Sequence, residues 1–129
     1  MILGVIVGGA GVETYHHTAS AHLRELFNQK LRCNGLGKKY ADLKSSSAGP
    51  ISSIYVLERV DYSESRNSCV AEITNNVSVL GRPDLETWNV QIVDVGTQEI
   101  MTIYPCPKGS DCVSMLNLAK PEFEKIVGQ

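Results

Sequence analysis

The sequence predicts an α+β fold in which one long N-terminal helix packs on a mostly antiparallel four-stranded sheet and a short helix closes the chain. Three observations predict it: an early helical period of apolar residues, a change to a period of two after residue 50, and strand connections too short for crossover helices. With 129 residues the chain is about one domain. We assign residues 18–129 to that domain and residues 1–17 to a separate hydrophobic segment.

The long helix is predicted from large apolar side chains that recur at helical spacing. Such a pattern marks the face of an amphipathic helix that packs against a core. We therefore expect this face to be buried on one side of the sheet. Its members are Leu23, Leu26, Phe27 and Leu31.

This helix is predicted to start at Thr18 and to stop at Asn34 and Gly35, because such a pair favours the left-handed conformation that ends many helices. A second, separate helical piece is expected at residues 38–44. The serine-rich stretch of residues 45–50 has the composition of a linker.

Four strands follow, predicted from alternating apolar and polar residues. Short polar turns such as Gly96-Thr97 separate them and predict antiparallel hairpins. A closing helix is expected from Pro121 to Val127, with proline at its first position. The strands are predicted at residues 51–62 and 68–74, from Trp88 to the Gly96-Thr97 turn, and at residues 100–104.

The four cysteines are spread along the chain without a Cys-x-x-Cys spacing, which is the pattern expected of disulfides. Free buried thiols are the first alternative. A metal site would need closer pairs of ligands, so we expect no metal and no other cofactor. The expected pairs are Cys33 with Cys69, which would join helix to sheet, and Cys106 with Cys112, which would close a short loop. Such bonds form in an oxidising compartment.

The first twelve residues carry no charged or strongly polar side chain. Their glycines do not complete a nucleotide-binding motif, because Ala10 and Thr14 stand where a phosphate-loop lysine and a third glycine are required. A helix of this length is about 18 Å long, against a hydrocarbon thickness of roughly 30 Å. We interpret the segment as part of a membrane anchor or a signal remnant; a buried strand is the alternative.

Charge and histidine placement exclude several functions. Twelve basic and fourteen acidic residues give a net charge of -2, so no nucleic-acid partner is expected. All three histidines, the last being His22, lie beside the hydrophobic segment, which disfavours hydrolase chemistry. Most carboxylates are expected on outward strand faces and in turns. Trp88 is the only tryptophan, and we expect it to be a core anchor rather than a ligand platform.

The most distinctive local element is the stretch from Cys106 to Cys112, CPKGSDC. A disulfide across it would present Lys108, Ser110 and Asp111 on a stiff exposed loop, which binds with a smaller ordering cost. The loop resembles the cysteine-bounded loop of the periplasmic inhibitors of vertebrate lysozyme, which also combines lysine, proline and an aspartate before the second cysteine. It differs from that loop in length and residue order and lacks its histidine. The resemblance implies an inhibitor of a cell-wall-degrading enzyme.

Together these features predict a periplasmic or extracellular module without catalytic activity, tethered to a membrane through its N-terminal segment. Its expected role is binding or assembly, through the sheet face or the Cys106–Cys112 loop, with an unknown protein or a component of the cell envelope as partner. The lysozyme-inhibitor function is the alternative, and a catalytic hydrolase is the third interpretation.

Overall fold

The computed structural model describes residues 2–108 and 112–128, with side chains from residue 21 onward. The chain forms a long helix, five strands and a second helix, with one 3-10 turn at Pro83–Leu85. The predicted α+β class is therefore confirmed. The elements are α1 (Ile2–Lys44), β1 (Ser46–Ala48), β2 (Ile51–Ser63), β3 (Ser68–Val79), β4 (Thr87–Asp94), β5 (Glu99–Pro105) and α2 (Val113–Gly128).

The sheet is antiparallel throughout, and its strands lie in the order in which they occur in the chain. It has five strands, so the predicted count of four is wrong. The additional strand is β1, which lies in the stretch expected to be a linker. Gly49 has a φ of 60°, a conformation that glycine adopts without steric cost, and the turn at Gly49 and Pro50 folds β1 back onto β2.

The two helices cover opposite faces of the sheet. Neighbouring residues of a strand point to opposite sides, and in β3 Ala71 packs with Tyr40 of α1, whereas Val70 packs with Phe123 of α2. The same alternation occurs in β4. The sheet is thus the middle layer, with a separate apolar cluster on each side.

The face of α1 that contacts the sheet is not the predicted one. The buried residues of α1 lie three or four positions after Cys33 or Gly37, as one helix face requires: Cys33, Gly37, and the adjacent pair Tyr40 and Ala41. Three of the four residues predicted to be buried are exposed, and only Leu26 is half-buried. We call these three the apolar stripe: Leu23, Phe27 and Leu31, with exposed fractions of 66%, 61% and 54%.

The helix also does not stop at Asn34 and Gly35 but continues without interruption to Lys44. Packing on the sheet outweighs the local preference of this pair for a helix end. Gly37 is the position of closest approach, because a Cβ atom there would lie 3.2 Å from side-chain atoms of Leu57 and Val60.

The two glycines of this segment give a matched test of that packing. Gly35→Ala is expected to raise the free energy of unfolding by about 0.5 to 1 kcal/mol, because alanine favours the helix and its Cβ would meet nothing within 4 Å. Gly37→Ala gains the same propensity, but overpacking of this kind costs about 1 to 3 kcal/mol. We therefore expect it to be neutral or destabilising in urea denaturation. Equal stabilisation by both substitutions would contradict the close packing at Gly37.

Helix α2 begins well before Pro121, the predicted start. Its first turn forms directly after the second disulfide, where the Leu116 amide donates a hydrogen bond of 2.8 Å to the carbonyl oxygen of Cys112. Proline inside a helix removes a hydrogen bond and costs about 3 kcal/mol. Here the buried Ala119 and Phe123, on either side of Pro121, hold the helix on the sheet.

Two carboxylates expected to point outward are buried instead. Glu72 accepts a hydrogen bond of 2.8 Å from Arg59, whose guanidinium also lies 4.7 Å from the centre of the Phe123 ring. Asp94, at 1% exposure, ends β4. It accepts hydrogen bonds from the hydroxyl of Ser68 (2.5 Å), the amides of Gly96 (3.0 Å) and Thr97 (3.1 Å), and the Arg66 guanidinium (3.1 Å).

Candidate functional site

Both predicted disulfides are formed. Cys33–Cys69 joins α1 to β3, and Cys106–Cys112 closes the connection between β5 and α2. The two Cα atoms are 5.4 Å apart in each bond, within the range that disulfides require. This arrangement indicates a protein that folds in an oxidising compartment.

A groove of about 610 Å³ lies beside the second disulfide. One wall is the 3-10 turn Pro83–Leu85, and the other is the chain of residues 105–108, which includes Cys106. Glu86, Thr87 and Trp88 complete the lining. We call this the Trp88 groove. Its walls contain three prolines and one end of a disulfide, so both are conformationally restricted.

The side chain of Trp88 is oriented by a hydrogen bond to Glu86. Its indole Nε1–H donates a hydrogen bond of 3.0 Å to Oε1 of Glu86, and the side-chain amide of Asn76 donates to the same oxygen at 3.0 Å. Asn76 is buried in β3, so the carboxylate is itself anchored in the sheet. The backbone of Trp88 is also fixed, because its carbonyl oxygen accepts from the Cys106 amide at 2.9 Å.

The prediction that Trp88 is a core anchor is wrong, since 42% of the residue is exposed. Val90 and Ile92, on the same face of β4, are covered by α2, and Trp88 lies outside that cluster. The sequence gives the face of a strand residue but not the length over which a helix covers that face. The available signal for the groove was the pair of proline-containing segments, which indicates rigid loops.

Lys108 joins the two walls of the groove. Its Nζ donates a hydrogen bond of 2.9 Å to the backbone oxygen of Asp84. Arg82 pairs with the Asp84 carboxylate at 2.9 Å, and this hydrogen bond lowers the pKa of Asp84 below its ordinary value. Ser110 and Asp111, the other predicted residues of this loop, lie outside the described residues.

The apolar stripe of α1 is a second candidate surface. His22 lies 3.7 Å from Glu64, and Lys30 lies 3.8 Å from Asp61, so these two side chains face β2 and its following turn. Leu23 and Leu31 each come one residue later and therefore point about 100° further round the helix. The stripe is consequently directed away from the sheet.

The residues that the structure describes contain neither a metal-ligand cluster nor a membrane-spanning helix. No group of three or more histidine, cysteine, aspartate or glutamate side chains is placed there to hold a metal ion. Within the same residues no helix combines the length and hydropathy needed to span a bilayer. The side chains of residues 1–17, including His16 and His17, lie outside the described side chains.

No protein-family model, curated protein or solved structure matches this chain.

Proposed function

We propose that this protein is an extracytoplasmic assembly module, tethered to a membrane through residues 1–17, in which the apolar stripe of α1 packs against α1 of a second copy. The observation that carries the proposal is the exposure of Leu23, Phe27 and Leu31 in one row. Single exposed apolar residues are ordinary, but large side chains at positions i, i+4 and i+8 form one continuous patch. Patches of this kind mark sites of association.

The length of α1 supports a helix-to-helix contact. With 43 residues it is about 64 Å long, whereas β2, the longest strand, spans about 43 Å with 13 residues. The contact of His22 with Glu64 lies at the turn where β2 ends, and α1 continues beyond it. The helix is therefore longer than the strand on which it packs.

A tether makes a second copy the fitting occupant. Residues 1–12 are uncharged and apolar, and copies anchored through them in one membrane share a single orientation. Their α1 helices are then parallel, and their stripes lie at the same height above the bilayer. Apolar residues that face one another along parallel helices interlock as in coiled coils.

Two leucines of α1 allow a matched test by sedimentation of the full chain in lipid nanodiscs or detergent. Leu31→Glu is expected to weaken association about 100-fold or more, because burial of a leucine contributes about 1.5 to 3 kcal/mol and both copies lose one. Leu43→Glu is the control, since Leu43 is 74% exposed on a different side of the same helix. A chain that remains monomeric at high concentration, or equal weakening by both substitutions, would contradict the proposal.

Inhibition of a cell-wall-degrading enzyme through the Cys106–Cys112 loop is the second candidate function. The disulfide supports it, because a closed loop loses less entropy on binding. We rank this function second because Lys108 donates a hydrogen bond to the Asp84 carbonyl oxygen, so the lysine contacts its own chain rather than pointing toward an enzyme. Inhibition of a lysozyme panel that disappears in Lys108→Ala and Asp111→Ala would support this function. A parent chain that inhibits none of the enzymes removes it.

A further inference from the structure

We infer that the Trp88 groove is a carbohydrate-binding site in which a sugar ring stacks on the indole of Trp88. The groove is formed by the 3-10 turn, the start of β4 and the end of β5, so it is a separate site from the apolar stripe of α1. The inference does not depend on assembly. A single copy of the chain contains every residue that it uses.

The first support is the fixed, exposed indole. A tryptophan that lacks a packed side is normally free to change rotamer, and binding then has to immobilise it. The Trp88 indole is oriented by its hydrogen bond to Glu86, which also accepts a hydrogen bond from the buried Asn76. A fixed aromatic surface, exposed over a large part of its area, is suited to stacking with the apolar face of a flat ring.

The second support is the mixture of groups around the indole. Pro83, Leu85 and Pro107 supply apolar walls. Lys108 has three N–H donors and uses one on Asp84, and Glu86 uses Oε1 for its two hydrogen bonds, so donors and an acceptor remain for a ligand. Mostly apolar lining with a few placed polar groups is characteristic of small-molecule sites. A sugar, with apolar ring faces and hydroxyls at its edge, matches that mixture.

A proline-rich peptide fits the groove less well. Such peptides bind in grooves lined by several aromatic side chains, and among the described residues that line this groove Trp88 is the only aromatic one. The charges of the groove also do not select an ion. Among the described residues that line the groove, Lys108 and Glu86 carry opposite charges and Asp84 is paired with Arg82, so a neutral ligand with many hydroxyls is favoured over an anion or a cation.

Because the chain has one tryptophan, its fluorescence reports on the groove alone. We expect the tetrasaccharides of β-linked N-acetylglucosamine or of β-linked glucose, or both, to shift the Trp88 emission in a saturable way and to protect it from acrylamide quenching. Millimolar concentrations of both that change neither quantity would overturn the inference. Binding of a proline-rich decapeptide in place of both sugars would overturn it as well.

Variants measured by calorimetry locate the site. Trp88→Ala is expected to abolish sugar binding, and its thermal unfolding shows whether the fold is retained. Lys108→Ala is expected to weaken binding about 2- to 10-fold, the equivalent of one hydrogen bond. Lys120→Ala, an exposed lysine of α2, is the matched control and should leave the affinity unchanged. Sugar binding that survives Trp88→Ala in the folded variant, or that is equally weakened by both lysine substitutions, would place the ligand elsewhere.

Discussion

Replacement of Cys33 and Cys69 together by alanine is expected to lower the free energy of unfolding by about 3 to 4 kcal/mol. The disulfide closes a loop with a sequence separation of 36, and its loss restores the entropy of that loop to the unfolded chain. Both cysteines are buried where α1 meets β3, so the substitution also removes packed sulfur atoms. Urea denaturation of the oxidised parent and the double variant measures the difference.

The other disulfide is the internal control for this effect. Cys106–Cys112 has a sequence separation of only 6, and the same relation gives about 2 kcal/mol for its removal. The order of the two double variants is therefore predicted as well as the size of the larger effect. Equal losses, or a larger loss for the short loop, would show that loop entropy does not govern the contribution of Cys33–Cys69.

Asp94→Ala is expected to lower the free energy of unfolding by about 3 kcal/mol. The substitution leaves the hydroxyl of Ser68 and the amides of the following turn without their acceptor, and it removes the carboxylate that pairs with Arg66. Loss of one partner of a buried pair costs about 3 to 5 kcal/mol, and the lower end applies because a third of the Arg66 side chain remains exposed. Asp84→Ala is the control, because it also removes an aspartate from an ion pair with an arginine, but Asp84 and its partner Arg82 are both exposed. A comparable loss in both variants would contradict the role of burial.

The pKa of Asp94 gives this effect a pH dependence. Burial alone would raise the pKa, but the hydrogen bonds from Ser68, Thr97, Arg66 and Gly96 outweigh burial and hold it below its ordinary value of 3.8. The stabilisation is therefore complete above the pKa that Asp94 has in the unfolded chain. It is lost as the pH falls through the lower pKa that Asp94 has in the folded protein. The difference in stability between the parent and Asp94→Ala should shrink in acid. A difference that stays constant from neutral to acidic pH would contradict this.

Local patterns predicted the two disulfides and four of the five strands. Alternation of apolar residues predicted β2 to β5 as strands, although consecutive residues of β3 and β4 are buried because a cluster covers each face of the sheet. The pairing of the cysteines follows from the same framework, since Cys69 shares a strand face with Ala71 and Ile73. These signals depend on neighbouring residues only, which is why the sequence contains them.

The orientation of α1 could not be read in the same way. A row of leucines and a phenylalanine marks an apolar face, but it does not say whether the partner is the chain's own sheet or another molecule. The face that packs is set by the bond from Cys33 to Cys69 and by the small residue at Gly37, which lets the helix approach β2. From the sequence, Phe27 is expected to be more buried than Cys33 and Gly37. In the structure Cys33 and Gly37 are buried and Phe27 is exposed.

The Trp88 groove was not predicted, although one of its lining residues was. Lys108 was identified because a disulfide loop presents it, and it does line the groove. Its contact with Asp84 spans 24 positions of sequence, and the exposure of Trp88 depends on where α2 ends over the sheet. Both are consequences of tertiary packing. The burial of Glu72 and Asp94 also depends on tertiary packing, since the arginines that pair with them lie in β2 and its following turn.

The central claim is that both disulfides form in an oxidising compartment, because the proposed location and the packing of α1 depend on them. Peptide mapping of protein alkylated at the moment of cell lysis tests this claim most directly. The expected result is two linked peptide pairs, Cys33 with Cys69 and Cys106 with Cys112, and no alkylated cysteine. Recovery of all four cysteines in alkylated form would contradict both the oxidising compartment and the crosslink that joins α1 to the sheet.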